Sequence, residues 1–332
     1  MLYFDPTIES QLKKSKNLLA FSAGVDSSAL FFLLLEKSIP FDIALINYGL
    51  RESAFTEQQH AIELSKRHHL KCYTIQAPSF ESNFEKNARD FRYQFFDEIM
   101  EKHHYSNLLT AHQLNDQLEW LLMRLTKGAG VVELLGLEAL SQRKSYTLIR
   151  PLLHHTKEEL EEYLKKDSLP YFIDESNHSD KYERNRFRKN FSDKLLKDYS
   201  KGIKRSFDYL ALDKQELLSE YRELFHYKEF FILEYKTPSI KIRIIDKYLK
   251  KLGYLLTGAQ RKELESESSI VLGGKWAIEV IEEKIFISPY RRNSLKMDKK
   301  FKEECRTLKI PSKIRTYLYE EKLSPKALLA QI

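Results

Sequence analysis

The chain has 332 residues, of which 42% are hydrophobic, 31% charged and 12% aromatic, and its formal net charge is +7. This content of apolar residues excludes a disordered chain, and the positive charge favours a polyanionic partner. Cys72 and Cys305 are the two cysteines, and their wide separation excludes a disulfide framework and a zinc cluster, which indicates a reducing cytoplasm. The longest apolar run, 29–35, is too short to span a bilayer, so we expect no membrane association.

The first distinctive stretch is a small-residue loop, Ser22-Ala23-Gly24-Val25-Asp26-Ser27, between an apolar strand at 18–21 and an apolar helix at 28–36. Such a loop can hold phosphate, because the first backbone N–H groups of the helix are unpaired and the helix dipole favours an anion. Asp26 cannot bind phosphate itself, so it either caps the helix or holds a metal ion that bridges to phosphate. A plain capped turn explains these six residues equally well, since so short a match is a weak signal.

Strands and helices then alternate along the chain. Further strands are expected at 41–47, 71–75 and 107–111, and helices at 54–68, 84–104 and 114–126. This alternation predicts an α/β fold, a Rossmann-like parallel sheet with helices on both faces. Ligands of such sheets bind beyond the carboxyl ends of the strands. The loops at 22–27, 47–52 and 112–116 should therefore converge on one crevice.

An arginine on the helix at 84–104 is the next candidate. Arg92 is placed to reach phosphate from this helix, because a guanidinium matches the geometry of phosphate oxygens. Arg89, one turn earlier, is expected to belong to a solvated face over an aromatic core.

Two carboxylates follow near the start of the helix at 114–126. Asp116 and Glu119 are three residues apart, which places both on one helical face. Acids at a helix N-terminus are also ordinary partners of the helix dipole, and it is the position at the crevice that favours a function. Two carboxylates there can bind Mg²⁺ or the ammonium of an amine substrate. His112, a lone histidine at a strand end, is more typical of a hydrogen-bonded structural residue.

From residue 150 the pattern changes. A helix is expected at 156–166, because Thr156 and Glu159 have the spacing of a capping box. The run 181–205 carries ten basic residues against three acids, and since a solvated helical face is usually mixed in sign, contact with a nucleic-acid backbone is favoured. Three alternate arginines make its most compact part, Arg184-Asn185-Arg186-Phe187-Arg188.

The C-terminal part is predicted to be mainly helical with a small β element. We expect helices over 206–265, two or three strands over 270–288 and a short helical tail over 303–332. The strands should turn at Gly273-Gly274 and at Glu282-Glu283.

Several blocks together resemble one family. Residues 22–27 resemble the PP-loop of the N-type ATP pyrophosphatases, which cut ATP between its α and β phosphates. Within that superfamily, blocks in the same order over roughly 16–190 are similar to the tRNA(Ile)-lysidine synthase family. These blocks are 46–51, 83–96, 110–119, 150–153 and 174–188.

The resemblance implies an ATP-dependent carbon–nitrogen ligase that acts in the cytoplasm on tRNA(Ile) with a CAU anticodon. ATP would adenylate the C2 oxygen of the wobble cytidine, position 34, with loss of pyrophosphate. The ε-amine of L-lysine would then attack C2 and release AMP, and the resulting lysidine would read AUA instead of AUG. The oligomeric state stays open, a homodimer included.

The resemblance also implies a role for each candidate residue. Residues 22–27 would cradle the ATP phosphates, while Asp26 and Asp116 would hold Mg²⁺. Asp116 and Glu119 would handle the lysine ammonium or the metal. The implied catalytic residues are Asp26, Arg92, Asp116, Glu119 and Arg186, and the implied contacts to tRNA or phosphate are Arg184, Asn185 and Arg188.

Four positions depart from the family's pattern. Ala23 replaces a usual glycine, which is tolerable where φ is negative. Asn115 stands where a second aspartate is common, which puts a metal role for that position in doubt. Tyr48 replaces a usual histidine and Trp120 a usual threonine.

Three domains are expected: a PP-loop catalytic domain at 1–205, a tRNA-binding domain at 206–290, helical with a small hairpin, and a basic tail at 291–332 that is a reduced last domain. Two other functions stay open. One is another PP-loop tRNA-modifying enzyme, such as a thiolase, although those generally use paired cysteines. The other is a tRNA-binding protein with an inactive nucleotide site.

Overall fold

The computed structural model describes residues 2–49, 53–80, 82–173, 183–292 and 296–329. The chain divides into two compact units, Met1–Leu210 and Ala211–Ile332. Within the described residues, no helix combines the length and the apolar character needed to cross a membrane.

The first unit is built on a six-stranded sheet. Its strands are β1 (Asn17–Ala20), β2 (Phe41–Asn47), β3 (Cys72–Gln76), β4 (Asn107–Leu109), β5 (Leu140–Gln142) and β6 (Thr147–Ile149). They lie in the order β3-β2-β1-β4-β6-β5, and all pairs are parallel except β5 with β6. The carboxyl ends of the parallel strands therefore share one edge of the sheet.

Helices cover both faces of this sheet. They are α1 (Pro6–Lys13), α2 (Val25–Glu36), α3 (Ser53–Arg67), α4 (Phe84–His103), α5 (Leu114–Leu125), α6 (Val131–Leu134), α7 (Lys157–Lys166), α8 (Glu183–Phe187) and α9 (Asp193–Ser219), with a π-helical segment, Arg188–Ser192, between α8 and α9. Leu19 points into a core built with α2, whereas its neighbour Leu18 points into a core built with α4. This alternation places a separate apolar core on each face.

The predicted α/β fold is confirmed, and each predicted strand and helix up to 126 lies within a few residues of its expected position. The loops at 22–24, 48–49 and 110–113 leave the carboxyl ends of β1, β2 and β4, as the alternation predicted. The predicted helix at 156–166 is α7, and its capping box between Thr156 and Glu159 is present. Leu50, Arg51 and the part of the 174–188 block before Glu183 lie outside the described residues.

The second unit contains a five-stranded antiparallel sheet. Its strands are β7 (Tyr221–Tyr227), β8 (Phe230–Tyr235), β9 (Ser269–Leu272), β10 (Trp276–Ile281) and β11 (Lys284–Pro289), in the order β7-β8-β11-β10-β9. Its helices are α10 (Lys241–Lys251), α11 (Gly258–Ser266), α12 (Lys299–Thr307), α13 (Arg315–Glu320) and α14 (Pro325–Leu329). Phe231 and Leu233 face α10, while Phe230 and Ile232 face α12 and α13, so both faces of this sheet are buried.

The prediction of helices throughout 206–265 is wrong over 221–235, which forms β7 and β8. Because β8 is buried on both faces, its residues form a continuous apolar run, which periodicity cannot distinguish from a buried helix. The strands expected over 270–288 are confirmed as β9, β10 and β11. Their predicted turns are present as well, with positive φ at Gly273, Gly274 and Glu282.

Candidate active site

The loop after β1 leads directly into α2, with Gly24 as the N-cap residue. Within the described residues no side chain caps this helix, so its first N–H groups remain available to an anion. The serine hydroxyls brace the loop: Ser27 Oγ accepts from Ser22 N at 3.2 Å and contacts the Gly24 carbonyl, and Ser28 Oγ donates to Ala23 O at 3.2 Å. The loop is therefore a braced turn at the head of a buried helix.

Ala23 takes an unexpected conformation. Its φ is +59°, not the negative value that the alanine was expected to require, and the residue is fully buried. A left-handed φ is unfavourable for a residue with a Cβ atom. The loop keeps it in place through its neighbours, including a hydrogen bond from Phe172 N to Ala23 O at 2.8 Å.

Asp26 does not cap the helix, since Gly24 occupies the N-cap, so the capping alternative is wrong. Its Oδ1 is buried and has no hydrogen-bond partner in the described part of the chain. Burial raises the pKa of Asp26 to about 7, and the negative charge of Asp116 acts in the same direction. A cation between Asp26 and Asp116 would relieve both effects, so this pair of carboxylates fits Mg²⁺, which needs few protein ligands when phosphates supply others. Among the described residues, no three His, Cys, Asp or Glu side chains cluster as a metal site.

The acidic pair lies at the start of α5 as predicted. Asp116 Oδ2 accepts a hydrogen bond from Gln113 N at 3.1 Å, which completes a capping box, and Oδ1 faces a partner outside the helix. The Glu119 side chain is fully buried. The Asp116 carboxylate therefore caps its own helix with one oxygen and binds another group with the other.

Two arginines of the basic run bind this acidic pair. Arg184 donates from Nη2 to Asp116 Oδ1 and from Nε to Glu119 Oε2 at 2.8 Å. Arg188 donates from Nε to Glu119 Oε1 at 2.7 Å and from Nη2 to Glu119 Oε2 at 3.1 Å. The sequence pattern suggested that these arginines grip phosphates, whereas the structure pairs both with carboxylates. Asn185 and Arg186 lie beside them on α8.

The pKa values of the two acids are shifted in opposite directions. Burial raises the pKa of Asp116, but the Arg184 charge and the Gln113 N–H outweigh it, so the pKa lies below its ordinary value. Burial raises the pKa of Glu119 above its ordinary value, against the hydrogen bond from Arg188. Asp116 therefore stays ionised, while Glu119 is the better proton acceptor.

His112 lies beside the pair but is neutral. Burial lowers its pKa to about 4, and the charges of Arg150, Arg184 and Arg92 act in the same direction. Its Nδ1 is 3.0 Å from Thr110 Oγ1. This supports the structural interpretation of the histidine.

Asn115 forms a contact near the two arginines that no sequence pattern indicated. Asn115 Nδ2 donates to Asp193 Oδ1 at 2.8 Å, and Asn115 Oδ1 accepts from Lys157 N at 3.1 Å. Asn115 thus joins the starts of α5, α7 and α9. Along α9, Leu196 and Phe207 are buried against Leu114 and Leu118 of α5.

Comparisons with known proteins point to one family. Residues 4–195 match the family model of a PP-loop domain. The tRNA(Ile)-lysidine synthase of Campylobacter jejuni strain RM1221 is 46% identical over 94% of this chain and 95% of that protein. The proteins of the same name from Helicobacter pylori 26695 and Wolinella succinogenes are each 44% identical, over 93% and 94% of this chain and 91% and 95% of their own length. Among solved structures, the U34-tRNA thiolase NcsA from Methanococcus maripaludis shares the fold, with a TM-score of 0.50 and 17% identity over 61% of this chain and 78% of that chain.

Proposed function

Because this chain belongs to the tRNA(Ile)-lysidine synthase family of PP-loop proteins, we propose that it joins L-lysine to C2 of cytidine 34 in tRNA(Ile) with a CAU anticodon, using ATP. The observation that carries the proposal is one edge of one sheet. There, among the residues that the structure describes, the N-terminus of α2 has no side-chain cap, a buried Asp26 oxygen has no hydrogen-bond partner, and the charge of Asp116 in the acidic pair acts on Asp26. At this edge the helix N-terminus can bind the phosphates of ATP, and the carboxylates can bind a metal ion and the lysine ammonium.

In the first step, the ATP phosphates would lie on residues 22–27 at the N-terminus of α2. The C2 oxygen of the cytidine attacks the α-phosphate, the bond between the α-phosphorus and the bridging oxygen breaks, and pyrophosphate leaves. Asp26 and Asp116 would hold Mg²⁺, which would supply neutralisation of phosphate charge. Arg92 and Arg186, which lie on α4 and α8, remain candidates for contacts with the phosphates or the activated base.

In the second step, the lysine ε-amine attacks C2, a C–N bond forms, and the bond from C2 to the adenylated oxygen breaks, so that AMP leaves. The amine must first lose a proton from its ammonium form. Glu119, with its raised pKa, is the acceptor that we assign, while ionised Asp116 holds the ammonium. Arg184 binds both carboxylates, and Arg188 binds both oxygens of Glu119. The incoming ammonium would therefore have to displace Arg184 from Asp116 and at least one arginine contact from Glu119.

The wider setting belongs to the same proposal. We place the reaction in the cytoplasm and assign the 1–205 segment to catalysis, 206–290 to the tRNA body and 291–332 to a reduced last domain. A thiolase function is not favoured, because Cys72 lies half-buried within β3 and Cys305 is buried in α12, and neither stands in a paired-cysteine motif.

Incorporation of labelled lysine into a tRNA(Ile) transcript tests the proposal. We expect incorporation with ATP and Mg²⁺ on the CAU transcript and none on a matched transcript with uridine at position 34. Lack of incorporation under conditions in which the protein is folded and binds ATP would refute the function. Asp116→Asn should abolish incorporation with nearly unchanged tRNA affinity, and a large loss of tRNA binding would instead mark the acidic pair as structural.

A further inference from the structure

Three arginines of the first unit are held over tyrosine rings. The guanidinium carbon of Arg89 lies 5.8 Å from the ring centre of Tyr93, and that of Arg143 lies 5.1 Å from the same ring. The guanidinium carbon of Arg92 lies 5.8 Å from the ring centre of Tyr48, and its Nε donates to the Tyr48 hydroxyl at 3.1 Å. We refer to these five residues as the arginine–tyrosine face.

The charge of this face is not neutralised within the described part of the chain. None of its three guanidiniums has a carboxylate within ion-pair distance there, whereas Arg184 and Arg188 are both bound to acids. Arg89, Arg92 and Arg143 are also exposed. A guanidinium held over a ring keeps most of its N–H donors for another partner. Within the described residues these three guanidiniums are therefore available to phosphate groups, whereas those of Arg184 and Arg188 are bound by Asp116 and Glu119.

Four of the five residues link the face to the crevice by their position, and Arg143 reaches the Tyr93 ring from the turn between β5 and β6. Tyr48 directly follows β2, and Arg89, Arg92 and Tyr93 lie in the first half of α4, which follows the carboxyl end of β3. The charge of Arg92 also lowers the pKa of His112, which precedes the helix of the acidic pair. Tyr93 packs against the apolar core beneath α4, so its ring is a fixed platform.

We propose that the arginine–tyrosine face binds unpaired nucleotides of an RNA loop, next to the cytidine that enters the crevice. A base that enters the crevice leaves its stack, so its neighbours need new stacking partners. Tyrosine rings and guanidinium planes stack on exposed bases, while the guanidinium edges bind phosphates. A paired duplex keeps its bases inside the helix and cannot use such a platform. This inference rests on the proposed function, because it assumes an RNA substrate with a target base in a loop.

Binding of two short RNAs tests the proposal, without ATP or lysine. One is an anticodon stem-loop with a CAU loop, and the other is a fully paired duplex of the same charge. The double variant Arg89→Lys and Arg143→Lys keeps the charge but loses the planar groups. We expect it to bind the stem-loop about tenfold more weakly and the duplex with unchanged affinity. Tyr93→Leu, which keeps an apolar group on the core, should act in the same direction.

Arg67→Ala is the matched control, because it removes an exposed arginine from the end of α3 and should leave both affinities unchanged. Equal losses for stem-loop and duplex, or no loss with the double lysine variant, would overturn the proposal. The test distinguishes failure of this proposal from failure of the proposed function. Wild-type protein that incorporates lysine while the double lysine variant binds the stem-loop normally would refute only the face, and failure of incorporation with intact loop selectivity would refute only the ligation.

Discussion

Asn115→Asp is the substitution that tests most directly how the acidic pair is organised. Asn115 donates to Asp193 Oδ1 at 2.8 Å and accepts from Lys157 N at 3.1 Å. An aspartate still accepts from Lys157 but can no longer donate. It places a carboxylate against the Asp193 carboxylate, at the point where α9 begins, just after the π-helical segment that starts at Arg188.

The expected cost follows from this geometry. The lost hydrogen bond to a charged acceptor contributes about 1.5 kcal/mol or more. Repulsion between two carboxylates about 4 Å apart adds about 1 kcal/mol in water and up to about 4 kcal/mol at a protein surface. Because Asp193 is exposed and its side chain can turn into solvent, the lower repulsion applies. We expect a loss of about 2–3 kcal/mol in the free energy of unfolding.

Urea unfolding measures that loss, and steady-state kinetics of lysine incorporation measure its effect on the site. Release of the start of α9 should loosen Arg188 from Glu119 and lower kcat at saturating lysine. The reciprocal exchange, Asn115→Asp with Asp193→Asn, reverses donor and acceptor and still leaves the introduced carboxylate an oxygen for Lys157 N. We expect it to restore most of the stability and of kcat.

A merely destabilised protein would not be rescued by a second substitution across the contact. If the exchange is as unstable and as slow as Asn115→Asp alone, the contact does not hold the arginines and the reasoning is refuted. If Asn115→Asp unfolds like the wild type, Asp193 is not its partner in solution.

Three further predictions concern neighbouring residues. Arg184→Ala vacates part of the acidic pair, so free lysine should raise the Tm of the variant more than that of the wild type, and equal shifts would contradict this. Burial raises the pKa of Asp26 to about 7 from 3.8, so stability without ligands should fall by roughly 3 kcal/mol as pH rises from about 4 to about 7, since the unfolded chain releases the proton first. Asp26→Asn should abolish that slope, and a slope retained in the variant would mean that another group causes it. A Cβ on Gly136 would overlap the Trp120 ring, so Gly136→Ala should cost about 1–3 kcal/mol in urea unfolding, and Trp120→Thr should relieve the added clash.

Local patterns were sufficient for most of the first unit. Each of the strands β1 to β4 is a short run of mainly apolar residues followed by a helical pattern, and parallel pairing then brings their carboxyl ends to one edge. The short strands β5 and β6 were not predicted, since β5 is mostly exposed and no helix separates the two. The three-residue spacing of Asp116 and Glu119 likewise placed both carboxylates on one face of α5. The pattern failed where it was ambiguous: β8 is apolar on both faces, so a continuous run of apolar residues was interpreted as a helix.

The amino-acid sequence by itself determined the loop, the helix that follows it and the two acids, because each depends on residues within a few positions of one another. Only the tertiary structure decided what those groups contact. Arg184 lies 68 positions from Asp116, and Asn115 lies 78 from Asp193. Local sequence preferences cannot predict whether an arginine this far along the chain binds a carboxylate or a phosphate. That choice depends on how α9 packs on α5, through Leu196 and Phe207.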